Sequence, residues 1–218
     1  MIILSFMNLY AQSNYIGPKS RLNTEFVLSI GNQQYSTHRW LANNHFFGTK
    51  RRMSMGYGIR WSSYFGNEQY FLNMSTRHPQ QTVTTDKLLF PSAQVNSLNL
   101  ALFFQYYLSS KFAIGFNTDF LGFSLGGRQQ IRSINTPQYQ LINAKPSFLN
   151  VLLVAFCRKG SFFREVFLRY WLNKKIGVKL GLSHHYLEYV TLQPNDLGNQ
   201  RFQNNATLYA VGATWKLR

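Results

Sequence analysis

The sequence predicts an all-β fold: an antiparallel up-and-down transmembrane β-barrel of eight strands, with ten as the alternative count. Three observations predict it. Apolar residues recur with a period of two over much of the chain, as in strands with one apolar and one polar face. Charged residues make up only 14% of the sequence and aromatics 17%, whereas a soluble domain carries about 25% charged residues. No run of 18 apolar residues occurs, which excludes transmembrane helices.

The period is clearest over residues 97–126, two strands joined at Ser109-Ser110-Lys111. In the first, Leu98, Leu100, Leu102, Phe104, Tyr106 and Leu108 share one face, and Ser97, Asn99, Ala101, Phe103, Gln105 and Tyr107 the other. In the second, Phe112, Ile114, Phe116 and Phe120 alternate with Ala113, Gly115, Asn117 and Asp119. At ~3.3 Å per residue and a tilt of ~40°, the stripe from Leu98 to Leu108 covers roughly 27 Å, the height of an outer-membrane barrel's apolar band.

Taken in order, the apolar run at residues 1–13 ends in Leu9-Tyr10-Ala11 and reads as the second half of a secretory signal, cleaved after Ala11. The expected organisation is therefore a truncated signal at 1–11 and a single barrel over 12–218. Residues 22–30 alternate, Phe26, Leu28 and Ile30 against Asn23, Glu25 and Ser29. A polar loop is expected over 34–50. The next strand, 52–65, sets Met53, Met55, Tyr57, Ile59 and Trp61 against Ser54, Gly56, Gly58, Arg60 and Ser62. Gly66-Asn67-Glu68 reads as a tight turn into a strand at 69–77, and 79–93 as a long loop with Pro79 and Pro91. After the 97–126 hairpin, 148–157 is nearly continuously apolar and of undecided type; 130–142 and 146–157 would form the extra hairpin of a ten-stranded barrel. Alternation resumes at 163–172, turns at Asn173-Lys174-Lys175 and continues from Ile176; the final strand presents Tyr209, Val211, Trp215 and Leu217 on one face. Short links at 66–68, 109–111 and 173–175 then alternate with long ones, as periplasmic turns and extracellular loops do in outer-membrane barrels, with both termini on the periplasmic side.

The faces opposite the apolar stripes carry Ser, Asn, Gly and Ala with few charges, unlike the water-facing wall of a lipocalin-like soluble barrel. Their six charges, Glu25, Arg60, Asp119, Glu165, Arg169 and Lys179, are three acids and three bases. A closed interior requires that balance, because unpaired buried charge is costly. They are read as a lumenal charge network, with Asp119 opposite Arg60, Arg169 or Lys179. Tyr57, Trp61, Tyr64, Tyr106, Tyr107, Tyr170 and Trp171 are read as aromatic belts at the two interfaces.

The formal charge of +16 comes from dispersed groups such as Lys50-Arg51-Arg52, Arg158-Lys159 and Lys174-Lys175 at strand ends. That placement suits anionic headgroups, and a nucleic-acid partner is not expected. The lone Cys157 excludes an intrachain disulfide and a cysteine metal site.

Met55-Gly-Tyr-Gly-Ile-Arg60, Gly115-Phe-Asn-Thr-Asp119, Tyr170-Trp-Leu172, His185-Tyr-Leu-Glu-Tyr189, Arg201-Phe202 and the final strand carry a resemblance to small eight-stranded outer-membrane barrels of the OmpA/OmpX type. The chain looks most like the outer-membrane β-barrel proteins of Bacteroidota. The resemblance implies an integral outer-membrane protein with a plugged polar lumen and a structural or surface-interaction role. It also brings in an alternative, because lipid A deacylases are eight-stranded barrels that use Ser, His and Glu. Here Ser183, His185 and Glu188 are the candidate catalytic residues. Ser183 and His185 share a face while Glu188 has the opposite parity, and a nucleophile needs its base and orienting group within reach. Adjacent His184 and His185 point to opposite faces, which disfavours a metal site with His38 and His45. The expectations are thus no catalysis, no cofactor and no metal. The expected partners are outer-membrane lipid and lipopolysaccharide, with a surface partner reached through long loops, for a monomeric barrel. A soluble lipocalin-like lipid-binding barrel is the remaining alternative.

Overall fold

The computed structural model describes residues 21–48, 50–73, 87–133, 141–152, 158–192 and 200–217. Among these, all regular structure is β-strand: β1 (Leu22–Gly31), β2 (Gln34–Phe47), β3 (Met53–Asn73), β4 (Lys87–Tyr107), β5 (Phe112–Leu125), β6 (Gln129–Ser133), β7 (Leu141–Pro146), β8 (Leu149–Leu152), β9 (Arg158–Lys159), β10 (Phe162–Trp171), β11 (Ile176–Thr191) and β12 (Arg201–Lys216). Eight of them, β1, β2, β3, β4, β5, β10, β11 and β12, pair antiparallel in that order, and β12 returns to β1. The ring closes as an all-antiparallel barrel, so every backbone edge in it is satisfied. The signal proposed for 1–11 lies outside the described residues.

Two turns at the end where β1 begins and β12 ends are built by the same device. The Ser109 hydroxyl accepts the amides of Lys111 (3.2 Å) and Phe112 (3.1 Å), and the Asn173 carbonyl oxygen accepts those of Lys175 and Ile176 (both 2.8 Å). Side-chain capture of amides two and three residues on replaces a backbone turn bond.

The eight-strand count holds, but two of its members differ from the sequence reading. The segment expected as a loop at 34–50 contains β2, joined to β1 by a tight turn at Asn32-Gln33 in which Gln33 is left-handed (φ 55°). Both faces of β2 mix polar and apolar residues, so the alternation that marks other strands is absent. The tight β1–β2 turn lies at the end opposite the start of β1, and short and long links therefore do not alternate throughout. The expected turn at 66–68 is the interior of β3: Asn67 still pairs with Ser92, and Glu68 takes a left-handed φ of 49°. There β3 and β4 kink together. Below the kink Gly66 and Ala93 face inward, above it Gln69 and Phe90 do. Turn-forming residues here switch the inward face of both strands while their register is kept. Pro91, expected in a loop, sits in β4 at this kink, a place in a strand that tolerates a missing amide donor. Of the expected strand at 69–77, residues 69–73 continue β3, and 74–77 lie outside the described residues.

The long connection from β5 to β10 contributes β6 to β9 at one end only, so the ring stays at eight. The β6–β7 hairpin bridges β4 and β11, while β3 pairs directly with β12 above the β1–β2 turn. The far end is thereby a second, six-stranded ring of β3, β4, β6, β7, β11 and β12. Its inside is an apolar cluster that includes Phe71, Leu88, Phe90, Ile131, Tyr189 and Phe202. The segment 149–152, of undecided type in the sequence, is β8, paired to the far half of β5. Residues 153–157 lie outside the described ones.

The wall of the eight-stranded ring is apolar outside and polar inside. Met55, Tyr57, Ile59, Leu102, Phe104, Ile114, Val166, Leu168, Leu180 and Val211 are exposed, whereas Asn99, Gln105, Asn117 and Thr214 are buried. Tyr64, Tyr107 and Trp171, expected in the aromatic belts, are buried inside the barrel. Their parity is opposite to that of Trp61, Tyr106 and Tyr170, which face outward, because neighbours along a strand alternate sides.

Candidate functional site

The barrel interior is a hydrogen-bonded chain of alternating charge, assembled from the inward positions of seven of the eight wall strands. Near the end where β1 begins, Arg169 of β10 donates to the Gln105 carbonyl oxygen (2.8 Å) and to Glu25. Glu25 also pairs with Lys179 and accepts the Thr214 hydroxyl at 2.8 Å. Lys179 continues to Glu165 at 2.7 Å, and Glu165 accepts the Asn117 amide at 2.8 Å. The Asn117 carbonyl oxygen accepts Arg60 (2.8 Å), which pairs with Asp119 at 3.0 Å. Asp119 accepts the Asn99 amide (2.8 Å) and the Phe163 backbone amide (3.1 Å). From Asn99 the chain reaches Asn150 of β8, and through it Ser124 and the Ser161 amide. The six charged residues are each at most 3% exposed. Their charges cancel, which a low-dielectric interior strongly favours.

Aromatic rings fill the remaining space and face the cations. The Arg60 guanidinium lies 4.9 Å from the Trp40 ring centre and 4.5 Å from that of Phe163. Phe167 lies 4.8 Å from both Arg169 and Lys179, and Lys216 sits 3.5 Å over Trp171. These contacts add cation–π attraction where water is excluded. Inward glycines make the room: a Cβ on Gly115 would collide with the Phe167 ring, and one on Gly56 with Phe103.

Beyond the charges, Ser36 joins two buried histidines, its hydroxyl lying 3.0 Å from His38 Nε2 and 3.1 Å from His185 Nε2. The His38 ring packs against Phe163 with the ring centres 3.8 Å apart. A void of about 10 Å³, room for about one water, lies beside them between Ser62, Tyr64, Ser97, Phe163 and His185. The apolar cluster of the six-stranded ring begins at Tyr64 and Leu187. Tyr107, Trp171 and Ala113 close the other end.

Where β4 exchanges β5 for β6, Tyr189 reaches across the barrel. Its hydroxyl donates to the Gln94 carbonyl (2.7 Å) and accepts the Gln94 amide (2.9 Å), satisfying both backbone groups at the fork. Burial pushes the Tyr189 phenol well above its ordinary value.

The candidate catalytic residues do not converge. Ser183 donates to the Leu208 carbonyl at 3.4 Å, and His185 is held by Ser36. Glu188 lies on the opposite face of β11, paired with Arg201 at 2.6 Å and Gln203 at 3.2 Å. Among the described residues no group of three or more His, Cys, Asp or Glu could hold a metal. The neutral links Asn99, Gln105, Asn117, Asn150 and Thr214, and Ser36, were not singled out by the sequence, and His38 was weighed there only as a metal ligand. The first set showed as polar inward parity without a chemical mark, and β2 did not read as a strand.

No protein-family model matches the chain, and no curated protein matches it. Two solved structures align over most of its length. The NanC porin has 7% identity and a TM-score of 0.23, with 90% of this chain and 100% of the porin covered. The P. putida toluene transporter TodX has 8% identity and a TM-score of 0.23, with 92% and 91% covered. The barrel closure described above stands on this chain's own strand pairing.

Proposed function

We propose that the protein is an integral outer-membrane β-barrel with a plugged lumen, non-enzymatic, whose far end contacts lipopolysaccharide or a surface partner. The observation that carries this reading is the reversed polarity of the wall, apolar outward and charge-paired inward. A soluble barrel places these faces the other way round. The small-barrel resemblance to the Bacteroidota proteins fits the same reading. Three features support a plug: the neutral ion-pair chain, the apolar cluster beyond it and the aromatic floor below. The separation of Ser183, His185 and Glu188 supports a role without acyl hydrolysis.

Membrane fractionation with a heat-modifiability gel tests the reading. The protein is expected in the membrane fraction, with faster migration before boiling than after. Soluble recovery without a shift would overturn it. Reconstitution in a planar bilayer is expected to give no steady conductance, and open-channel current would remove the plug.

A further inference from the structure

Resting on the outer-membrane reading, we infer that the outer wall carries a site for one phosphorylated, acylated glycolipid of the lipid A type. A groove of about 370 Å³ runs over the outside of β3, β4, β5 and β8, walled by Ile59, Leu98, Leu100, Leu121, Phe123 and Leu149. Its volume falls within the roughly 300–1,000 Å³ usual for ligand clefts. Its cause is local. The β4–β5 register shifts at Leu100/Ala101, which leaves Phe120 unpaired, and Gly122 and Asn99 form the floor beside the shift. Bulges of this kind bend a strand and open its surface.

The patch carries a cation at its upper edge, beside the β8–β9 ladder. Ile59, Leu100, Leu121, Val151 and Lys159 are successive cross-strand partners, and Trp61, Leu98, Phe123 and Leu149 form the adjoining row. Directly paired residues share a face, so Lys159 is presented on the same outer surface as the groove, and it is exposed. Phe148 extends the apolar lip by stacking on Phe123 at 5.9 Å. The groove lies in the half of the wall away from the start of β1 and the end of β12, the half assigned to the outer leaflet. An acyl chain along Leu98, Leu121 and Leu149 sets a headgroup phosphate near the Lys159 ammonium, where opposite charge at the headgroup level is attractive. Apolar cleft and adjoining amine together match a phosphorylated acyl lipid and not a neutral one.

The test is retention of lipid by the full chain, purified in nanodiscs and measured by native mass spectrometry. Phosphorylated lipid A and its dephosphorylated form compete at equal concentration. The wild type is expected to retain the phosphorylated form at least about fivefold better, from one lysine at about 1 kcal/mol. Lys159→Glu is expected to abolish that preference while keeping chain binding, and Leu121→Trp, which fills the groove, to reduce retention of both lipids. Equal retention of the two lipids by the wild type, or a preference untouched by both variants, would overturn the inference. Heat-modifiability of each variant separates loss of the lipid site from loss of the inserted barrel. An inserted barrel without preference removes the lipid site alone, whereas a wild-type chain that never inserts removes the outer-membrane reading beneath it.

Discussion

Arg60 of β3 and Asp119 of β5 form an ion pair at 3.0 Å inside the barrel, with β4 lying between their strands. Neither is more than 1% exposed, and Asp119 takes further hydrogen bonds from Asn99 and the Phe163 amide. Removing one partner leaves a buried charge uncompensated. Asp119→Asn or Arg60→Ala is expected to destabilise the folded barrel by about 3–5 kcal/mol, and the double replacement Arg60→Met with Asp119→Leu by less than either. Urea titration in detergent, followed by the heat-modifiability shift, measures both. Additive losses in the double variant would show that the pair is not coupled.

Glu25 is the junction of the network, since it pairs with both Arg169 and Lys179 and accepts the Thr214 hydroxyl. Glu25→Gln removes the negative charge between two buried cations and is expected to cost several times as much as Thr214→Val. A hydroxyl hydrogen bond is worth about 1 kcal/mol, and a broken buried ion pair about 3–5. Unfolding midpoints of the two variants give the ratio.

Arg39 of β2 faces outward, paired with Phe26 on one side and Trp61 on the other. It stands in the apolar band of a wall read as lipid-facing. Charge there costs about 2–4 kcal/mol at the midplane and about 0–1 at the interface. Arg39→Leu is therefore expected to stabilise the inserted barrel by about 1–3 kcal/mol, measured by reversible unfolding in lipid vesicles. A loss of stability would show that Arg39 has a favourable role on that surface.

Tyr189 makes alkaline stability a measurable quantity. Its folded-state phenol is raised above the ordinary value of 10.0, chiefly by burial, so the folded barrel holds the proton more tightly than the unfolded chain. That contribution is complete below about pH 10 and declines as the pH rises beyond it. Tyr189→Phe is expected to destabilise at neutral pH by about 1–3 kcal/mol, through the unsatisfied Gln94 backbone groups, and to flatten the decline above pH 10. Urea midpoints at pH 8 and 11 test both effects. Amide exchange at Gln94 reports the local opening.

Much of the wall could be read from alternation alone, because Leu98 to Leu108 and Met53 to Trp61 each present one uniformly apolar face. The balance of Glu25, Arg60, Asp119, Glu165, Arg169 and Lys179 was visible for the same reason: inward parity singled out few charges. β2 escaped because Ser36, His38 and Asn44 face inward while Thr37, Arg39 and Asn43 face outward, so polarity does not report parity. Gly66-Asn67-Glu68 misled because a left-handed residue that can reverse a chain here only switches the face of a strand that keeps its pairing. The six-stranded far ring depends on long-range pairing, β3 with β12 and β7 with β11, which no local pattern encodes.

The pairing of β12 with β3 bears on how such a wall could ever part. In the closed ring, first and last strands meet along Asn23–Ile30 and Tyr209–Lys216, the one seam that joins the two ends of the chain. Above it, Phe202 and Gln203 are laced to Asn73 and Leu72, and the Asn204 amide donates to the Tyr70 carbonyl at 2.7 Å. The seam is thus sewn at its open end to a strand two places further round. Unzipping β1 from β12 frees a window bounded by that stitch, not a slit running to the rim. Lateral escape of anything from the interior would require both ladders to break together.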